Sequence, residues 1–407
     1  MKIIVAHNYY RQPGGEDQVF ADECRLLADH GHQVRRFTVH NDRVAEYSRP
    51  GLARAAVWNG AVAAELGELV RSTKSELVHF HNTFPLLSPA AYHAARSAGA
   101  AVVQTLHNYR LLCPAANFFR DGRVCEDCLG KRFAWPAVQH ACYRGSRAAT
   151  AVTATMLASH RFKRTWTEAV DAYIALTEFA RGKLIAGGLP AGKIAVKPNF
   201  VSPDPQAGAG RGGYALYVGR LSAEKGIDQL LSAWRLLDGA VPLKIVGDGP
   251  LAEQVGAAAK QDPQIERLGA QPLDKVHQWL GEASLLVCAS ACYEGLPKTI
   301  VEAFAKGTPV VAPRHGAMAE IVDHDRTGRH FTPGDPGSLA AQALELFRDE
   351  PARQRMRVEA RCEFETKYGA ARNYDLLLEI YGQALSRRGH GAAVPGAVAE
   401  YEEVSCS

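Results

Sequence analysis

The stretch VKPNFVSPDPQAGAGRGG, residues 196–213, divides this sequence into two halves with the same repeating pattern. Its proline and glycine residues are typical of a linker between domains. YALYVG at 214–219 follows at once and begins a second series of short apolar runs separated by longer helical patterns. Such alternation indicates strand–helix repeats, which build a parallel sheet with helices on its faces. The sequence therefore predicts two α/β domains in series.

Five strands are predicted on each side of the linker. They lie at 2–6, 33–39, 76–80, 101–106 and 172–176, and then at 214–219, 242–247, 265–269, 284–289 and 309–312. Helices of the first half are predicted near 17–30, 52–72, 88–98, 147–166 and 178–186. We assign a first domain to 1–200, a second to 201–368, a helix packing back on the first domain to 369–386, and a disordered tail to 387–407. Ligands of doubly wound domains bind at the carboxyl ends of the strands, so we expect the two domains to face each other across a ligand cleft.

Composition excludes several classes of protein. The chain has 407 residues and a formal net charge of only +4, which argues against a nucleic-acid partner. Its longest apolar runs are too short for a membrane-spanning helix, and the five-residue run near the start is too short for a signal peptide. Nine cysteines without such a signal fit a reducing compartment. We therefore expect a cytoplasmic protein.

Two loops at predicted strand ends are suited to phosphate. In the first half, Gly14 and Gly15 stand just before a helix predicted to start near Asp17, where glycine lets the backbone approach a ligand closely. In the second half, Arg220 follows a strand and Lys225 lies five residues further on, a pair that suits a diphosphate. The alternatives are a plain tight turn for the glycines and a solvated basic edge for the cations.

The stretch YEGLPKTIVEA, residues 293–303, places Glu294 and Glu302 eight residues apart. On one unbroken helix these carboxylates would be separated by about 12 Å along the axis and could share no ligand. Proline favours a first helical position, so we predict that a helix begins near Pro297 and ends at Gly307. Glu294 then lies in the loop, Glu302 about one turn into the helix, and the free N–H groups between them suit an anion. The alternative is an exposed helix with two solvated acids.

Taken together and in order, VGRLSAEKG, IVGDGP and YEGLPKTIVEA resemble the C-terminal domain of glycosyltransferase family four. In the first half, PGGED, VHFHNTFPLLSP, TLHNYRLLCP, ALTEFARGKL and KPNFV are similar to the corresponding segments of bacterial polysaccharide members. The resemblance covers roughly residues 1–385. It implies the GT-B fold, with an acceptor-side N-terminal domain and a C-terminal domain that binds the nucleotide sugar.

The resemblance also implies roles for individual residues. Glu294 would face the donor sugar, and Glu302 would bind the nucleotide ribose. The diphosphate would be held by Arg220 and Lys225 together with the segment Gly295, Leu296, Pro297, Lys298 and Thr299. The family has a histidine at the position of His107 that contacts the donor sugar, whereas a lone histidine is otherwise more often a helix cap or a core residue. His7, His79 and His81 also lie at strand ends and are interpreted as packing or cleft-lining groups.

The implied reaction is a retaining, metal-independent transfer of a sugar from a nucleotide-sugar donor to a hydroxyl of a glycan or lipid-linked glycan. It needs no catalytic cofactor, because cations and helix dipoles can neutralise the departing diphosphate. We expect such an enzyme to serve bacterial cell-surface polysaccharide synthesis. Two alternatives stay open, a nucleotide-sugar epimerase of the same architecture and a catalytically silent partner subunit that binds sugar nucleotides.

Four of the nine cysteines fall close together. Cys113, Cys125, Cys128 and Cys142 lie within an insertion predicted at about 109–145, with the spacing C-x11-C-x2-C-x13-C. Four thiolates with one C-x2-C pair could form a closed tetrahedral zinc site that holds the insertion in shape. The alternative is four reduced, unrelated thiols.

A short basic and aromatic run follows the insertion. SHRFKRTWTEA at 159–169 combines Arg161, Lys163 and Arg164 with Phe162 and Trp166. Such residues can seat a helix on an anionic membrane surface, where lipid-linked acceptors reside. The run predicts peripheral contact with the inner face of the membrane, and its alternative is an ordinary solvated helix face.

Overall fold

The protein consists of two compact units, each built around a parallel sheet. A computed structural model describes residues 1–12 and 14–389. Among the described residues, the first unit comprises 1–118, 126–198 and 373–389, and the second comprises 119–125 and 199–372. The predicted tail lies outside the described residues from 390 onward.

All ten predicted strands are present, and four further short strands accompany them. In chain order the strands are β1 (Lys2–Tyr9), β2 (Gln33–His40), β3 (Leu77–Phe80), β4 (Ala101–Thr105), β5 (Phe119–Arg120), β6 (Arg123–Val124), β7 (Ala172–Ala175), β8 (Ile194–Val196), β9 (Ala215–Val218), β10 (Leu243–Val246), β11 (Ile265–Gly269), β12 (Leu285–Val287), β13 (Val310–Pro313) and β14 (Gly328–Phe331).

The α-helices separate these strands. In chain order they are α1 (Gly15–Asp29), α2 (Arg49–Val57), α3 (Gly60–Thr73), α4 (Ala90–Ser97), α5 (Trp135–Gln139), α6 (Arg147–Phe162), α7 (Glu178–Ala186), α8 (Ile227–Leu237), α9 (Ala252–Gln261), α10 (Leu273–Glu282), α11 (Lys298–Ala305), α12 (Gly316–Ile321), α13 (Pro336–Arg348), α14 (Glu350–Lys367) and α15 (Ala370–Arg387). A π-helical turn covers Thr165–Ala169.

The two large sheets have closely related strand orders. The first sheet runs β2-β1-β3-β4-β7-β8 and the second β11-β10-β9-β12-β13-β14, with all neighbours parallel. Strands β5 and β6 form a separate antiparallel hairpin. In each large sheet the first strand lies between the second strand and a later one. The carboxyl ends of the central strands therefore form a topological switch point, where ligands bind in folds of this kind.

Each sheet is covered on both faces, which explains why its strands read as continuous apolar runs. In the first unit Ile3, Leu77 and Ile174 are fully buried in one cluster with side chains of α1 and α15. In the second unit Leu243 and Leu285 are fully buried with side chains of α8 and α13. Within the described residues, no helix is both long enough and apolar enough to cross a membrane.

The single helix predicted at 52–72 is wrong, because the chain forms α2 and α3 with a break between them. Asn59 stands at the break, where its side-chain oxygen accepts a hydrogen bond of 3.4 Å from the N–H of Val62 and caps α3. Its side-chain amide also donates to the carbonyl of Leu86 at 2.6 Å. Capping by asparagine starts a new helix where the apolar pattern alone suggested continuity.

Candidate functional site

Two loops at the carboxyl edge of the second sheet are joined backbone to backbone. The N–H of Gly219 donates to the carbonyl of Val246 at 3.0 Å, and the N–H of Leu221 donates to Asp248 at 2.9 Å. Gly247 has a φ of +142°, and a Cβ there would lie 1.9 Å from the Gly219 carbonyl oxygen. Only glycine permits this approach. The joined loops hold Arg220 just beyond β9, with its side chain exposed.

The next loop brings Lys225 to Glu294. The Lys225 ammonium lies 2.6 Å from Oε1 of Glu294, and the Ser290 hydroxyl donates to the same oxygen at 2.7 Å. The absence of a side chain at Gly226 lets this loop lie close to the chain after β12, since a Cβ at this position would be 1.8 Å from the carbonyl oxygen of Ala289. The structure thus places the predicted sugar-facing carboxylate and the predicted diphosphate-binding lysine in direct contact.

The ion pair controls the charge of Glu294. Burial alone would raise the pKa of this carboxyl, but the Lys225 ammonium and the hydrogen bonds from Lys225 and Ser290 outweigh it and lower the pKa. The same contact raises the pKa of Lys225 against the effect of burial. Both groups are therefore charged at neutral pH. A carboxylate held in this way can accept hydrogen bonds from sugar hydroxyls.

Glu302 lies in α11, which begins at Lys298 with Pro297 as its N-cap residue, as the sequence predicted to within one residue. Glu302 is 5% exposed, and the N-cap residue Pro297 makes no side-chain capping hydrogen bond. The helix ends before Gly307, whose φ is +65°. The segment before Lys298 is non-helical and comprises Gly295, Leu296 and Pro297. The first amides of α11, those of Lys298 and Thr299, thus follow directly on the Glu294 loop.

In the first unit the glycine pair opens α1, two residues earlier than predicted. Gly14 is the N-cap residue, and α1 begins at Gly15 rather than near Asp17. The N–H of Gly14 donates to Oδ2 of Asp17 at 2.7 Å. A Cβ on Gly14 would meet no atom within 4 Å, so open space surrounds this position. The carboxylate of Asp17 therefore accepts the hydrogen bond of the Gly14 amide, which lies in the loop that was predicted to bind phosphate.

Histidines from three neighbouring strands of the first sheet meet at its carboxyl edge. Nδ1 of His81 lies 3.0 Å from Nε2 of His107, and the two rings stack with centroids 5.2 Å apart. Nε2 of His7 lies 2.6 Å from Oδ1 of Asp17. His7, His79 and His81 are buried, whereas His107 is partly exposed. Of these four residues, His107 is therefore the most accessible.

Sequence reasoning missed the charged residues behind these rings. Glu23, on α1, is fully buried and its Oε1 lies 2.5 Å from the ammonium of Lys197, which follows β8. Oε2 of Glu23 lies 3.2 Å from Nε2 of His81. The sequence did contain one signal for this pair. Glu23 lies on the apolar face predicted for α1, and a carboxylate buried there requires a partner of opposite charge.

Glu16 is a second missed acid at this edge. Burial and the neighbouring Asp17 raise its pKa to about 7, although hydrogen bonds from Tyr10 and Asn108 and the charge of Arg110 oppose the shift. The side-chain amide of Asn108 donates to Oε2 of Glu16 at 3.4 Å. Since Asn108 follows His107 directly, this titrating carboxyl lies near the exposed histidine.

The cysteine insertion has a small core of its own. Ala134, Ala137, Val138 and Ala154 form a buried cluster, and Cys128 and Cys142 both pack against it. The N–H of Cys142 donates to the carbonyl of Ala137 at 3.0 Å. Cys113 is buried and Cys125 is half-buried. Two of the four predicted ligands are thus brought to one cluster by α5 and α6.

The basic and aromatic run lies at the end of α6. Phe162 is 90% exposed, and Trp135 of the insertion is 57% exposed. The Arg161 guanidinium donates to the carbonyl of Lys131, which joins the end of α6 to the insertion. Trp166, predicted as a surface aromatic, is instead only 5% exposed, because its ring packs against the rings of Tyr92 and His160. Phe162, Trp135, Phe133, Lys131, Arg132, Arg161, Lys163 and Arg164 form what we call the basic–aromatic face.

Two family models match consecutive parts of the chain. Residues 13–205 match the model described as Glycosyltransferase Family 4, and residues 212–349 match the model described as Glycosyl transferases group 1. The first match ends and the second begins within the predicted linker at 196–213.

Curated relatives are similar over parts of the chain. The amylovoran biosynthesis glycosyltransferase AmsK of Erwinia amylovora is 30% identical over 214 residues, which cover 49% of this chain and 53% of that protein. The putative colanic acid biosynthesis glycosyltransferase WcaL of Escherichia coli is 28% identical over 193 residues, 44% of this chain and 47% of that protein. The chain thus spans about half the length of these relatives.

Solved structures match nearly the whole chain. Sucrose-phosphate synthase from Thermosynechococcus elongatus superposes with a TM-score of 0.71 at 15% identity, over 95% of this chain and 100% of that one. HepE from Anabaena in complex with UDP gives a TM-score of 0.64 at 18% identity, over 93% and 99% of the two chains. At these identities the likeness is one of fold.

Proposed function

We propose that this chain, which matches models described as Glycosyltransferase Family 4 and Glycosyl transferases group 1 and has the GT-B fold that the sequence predicted, is a retaining transferase acting in bacterial cell-surface polysaccharide synthesis. It would move a sugar from a nucleotide-sugar donor to a hydroxyl of a glycan or lipid-linked glycan. The names of AmsK and WcaL support the polysaccharide role. The complex of HepE with UDP supports a nucleotide donor.

The observation that carries the proposal is the contact of Lys225 and Ser290 with Glu294 beside the start of α11. The pair keeps a carboxylate ionised in the loop before a helix whose N-cap residue, Pro297, makes no side-chain capping hydrogen bond. A donor binding there would meet a carboxylate able to accept sugar hydroxyls and N–H groups able to hold a diphosphate. Charged and dipolar groups of this kind are needed where negative charge develops on a leaving group.

Roles for the remaining residues follow from the same chemistry. Arg220, exposed beyond β9, would hold the diphosphate as a fork, and Glu302 would accept hydrogen bonds from the ribose hydroxyls. His107 would contact the donor sugar. In front-face transfer the departing phosphate oxygen helps to take the acceptor proton, so the mechanism requires neither a protein nucleophile nor a metal ion.

The membrane part of the proposal rests on the basic–aromatic face. Phe162 and Trp135 expose large apolar surfaces, and the basic residues beside them suit anionic headgroups. A cavity of about 200 Å³ lies among these residues and is lined by Arg132, Arg161 and Arg164. We place the enzyme in the cytoplasm, at the inner face of the membrane, where a lipid-linked acceptor would be within reach.

The insertion would be held by zinc. Cys113, Cys125, Cys128 and Cys142 offer four soft ligands, and two of them, Cys128 and Cys142, pack against one small core. Four thiolates would complete a tetrahedron and leave no open position, so the metal would be structural. No step of the transfer would involve it.

A screen of purified protein against nucleotide sugars tests the proposed function. UDP-, GDP- and other nucleotide sugars should be compared by thermal shift and by slow donor hydrolysis. We expect one base to raise the melting temperature strongly and its sugar to be released slowly. Stabilisation by a nucleotide sugar without any turnover would favour the silent partner subunit, and no stabilisation by any of them would contradict the proposal.

A further inference from the structure

We propose that the cavity lined by Arg132, Arg161 and Arg164 is a binding site for a phosphate monoester. The cavity lies within the basic–aromatic face, so the inference deepens the proposed membrane contact and rests on the proposed function only for the membrane as a source of the ligand. A site of defined chemistry would then add to the diffuse attraction between a basic surface and anionic lipids.

The cavity has a buried apolar floor and a cationic rim. Its volume is about 200 Å³. A space of about 15 Å³ already holds one water molecule, so this cavity has room for a phosphate group. Of the residues that line it, Trp166 and Leu189 are buried, Arg161 is half-buried, and Arg132 and Arg164 are exposed. A ligand can therefore enter from the solvent side, past the two exposed arginines.

Three guanidinium groups at this cavity are matched by one carboxylate. Nε of Arg164 lies 2.9 Å from Oε1 of Glu168, and both side chains are largely exposed. Within the part of the chain that the structure describes, Arg132 and Arg161 form no ion pair and no carboxylate lines the cavity. Two positive charges thus lack a counterion. A phosphate monoester carries nearly two negative charges at neutral pH and has three acceptor oxygens, whereas a diester carries only one charge.

Arg161 is the residue that gains most from such a ligand. Burial lowers the pKa of its guanidinium, and no neighbouring carboxylate offsets this effect. Its Nη1 donates to the carbonyl of Lys131, and its other N–H groups have no acceptor among the described residues. A guanidinium presents these donors as a fork that matches phosphate oxygens. A bound phosphate would accept them and compensate the half-buried charge.

The position of Arg132 argues against a purely structural role for the three arginines. Arg161 and Arg164 lie at the end of α6, where cations stabilise the carboxyl end of a helix. Arg132 belongs to the insertion instead, and its side chain makes neither a hydrogen bond nor an ion pair with any described residue. It nevertheless lines the same cavity. Cations from two separate segments therefore converge on one space, as the recognition of a phosphate requires.

The cavity is separate from the site at the carboxyl edge of the first sheet. Arg164 and Trp166 lie in the segment that leads into β7, and Gly187 lies in the segment between α7 and β8. Because the strands of this sheet are parallel, the segments that lead into them lie at the amino edge, whereas His107 follows β4 at the carboxyl edge. A phosphate in the cavity would therefore anchor the protein to its ligand and take no part in the chemistry of transfer.

The first readout uses inorganic phosphate as the probe on the full chain. Nitrogen NMR of tryptophan-labelled protein resolves the indole N–H signals of its five tryptophans. The signal of Trp166 is identified with Trp166→Phe or, if that variant does not fold, with single substitutions of the other tryptophans. We expect phosphate to shift this signal saturably and sodium chloride at the same ionic strength to leave it unchanged. Absence of a saturable shift would overturn the proposal.

The test variant is Arg132→Gln with Arg164→Gln, because both residues are exposed and their replacement should leave the fold intact. The matched control is Lys131→Gln with Lys163→Gln, which removes two positive charges from the same face. Neither lysine lines the cavity, and the Lys163 ammonium lies over the Trp58 ring, 5.6 Å from its centroid. Phosphate affinity should fall at least about tenfold in the test variant, through loss of charge-assisted hydrogen bonds, and less than about twofold in the control. Equal affinities of the two variants would overturn the proposal.

Vesicles identify the source of the phosphate group. Phosphatidic acid presents a phosphate monoester and phosphatidylglycerol only a diester, so vesicles of the two are compared at equal surface charge. A preference for phosphatidic acid that is lost in Arg132→Gln with Arg164→Gln would assign the site to a lipid headgroup. Saturable phosphate binding without that preference would assign it to a soluble phosphate monoester.

The same measurements separate this site from the proposed function. A saturable response of Trp166 to phosphate, in a protein that no nucleotide sugar stabilises, would refute the proposed function and leave the site standing. Stabilisation and turnover of a nucleotide sugar, without any response of Trp166 to phosphate, would refute the site and leave the function standing.

Discussion

At the scale of single residues, the contact between Lys225 and Glu294 is the feature with the clearest consequences. The sequence assigned these two residues to different parts of the donor, whereas the structure joins them at 2.6 Å. Glu294 is 14% exposed and Lys225 is 32% exposed, so the pair is neither fully buried nor a surface bridge. Each residue stabilises the charged form of the other. Removal of either side chain should therefore shift the pKa of the one that remains.

The pair predicts how stability depends on pH. Because the folded pKa of Glu294 is lowered, its contribution is fully present above the unfolded value and is lost as pH falls through the folded one. In Lys225→Met the carboxylate loses its partner, its pKa should rise, and unfolding should become easier as pH increases from 4 to 7. We expect a loss of about 1–3 kcal/mol at pH 7. Denaturant titrations of the wild type and of Lys225→Met between pH 4 and pH 7 measure whether the free energy of unfolding falls as pH rises.

The control for this experiment is the double variant Lys225→Met with Glu294→Gln. It removes the unpaired carboxylate and should restore most of the stability that Lys225→Met loses at pH 7. If Lys225→Met shows the same pH dependence as the wild type, the ion pair does not govern the ionisation of Glu294.

The proposed contact of Arg220 with the diphosphate leads to a prediction about donor affinity. Arg220→Ala should weaken the binding of the nucleotide sugar by about 1.5–3 kcal/mol, because a charge-assisted hydrogen bond is lost. Arg235→Ala is the matched control, since Arg235 is also exposed but lies on α8 and contacts Ser232. Calorimetric titration with donor measures both. Equal affinities of the two variants would remove Arg220 from the donor site.

Single residues were also where the sequence was least informative. His107 and Arg220 could be chosen from their positions at strand ends, Glu294 from its place in the loop before a predicted helix, and all three from the resemblance. Glu23 and Lys197 could not, because they lie 174 residues apart and their ion pair exists only after the sheet has formed. Lys197 moreover lay in a stretch that was interpreted as a linker.

At the scale of elements, apolar runs located every long strand, because parallel strands are buried on both faces. Two edge strands, β8 and β14, were missed, although the edge strands β2 and β11 were predicted. β14 contains Arg329 and His330, so its sequence shows no apolar run. β8 has only three residues and runs into the stretch interpreted as a linker. The break at Asn59 was missed for a different reason, since the apolar pattern continues across it and the capping hydrogen bond decides the boundary.

The cysteine insertion carries a prediction at this scale. Purified protein should contain about one zinc per chain, and a strong chelator should lower the melting temperature of the wild type. Cys125→Ser should lower it too, and chelator should then have little further effect. Cys24→Ala is the control, because Cys24 lies in the core of the sheet and its loss should leave the chelator response unchanged. Zinc far below one equivalent in a stable, active protein would show that the four cysteines do not form a zinc site.

At the scale of the whole molecule, the basic–aromatic face predicts binding to membranes. The wild type should sediment with phosphatidylglycerol vesicles and much less with phosphatidylcholine vesicles, because its basic residues attract anionic headgroups. Phe162→Ser with Trp135→Ser should weaken vesicle binding at least tenfold, as expected for the loss of two apolar anchors (about 1.5–3 kcal/mol for a large side chain). Leu236→Ser is the control, since Leu236 is 64% exposed on the other unit. Equal binding of the two variants would exclude this face.

The central claim is that the protein transfers sugars with retention of configuration and without a metal ion. It is tested most directly by proton NMR of the sugar first released when the protein slowly hydrolyses the nucleotide sugar that stabilises it, with a chelator present. This measurement needs no knowledge of the acceptor. We predict that the released sugar has the same anomeric configuration as the donor and that its release rate is unaffected by the chelator. Release of the opposite anomer, or loss of release in chelator while the protein stays folded, would contradict the claim.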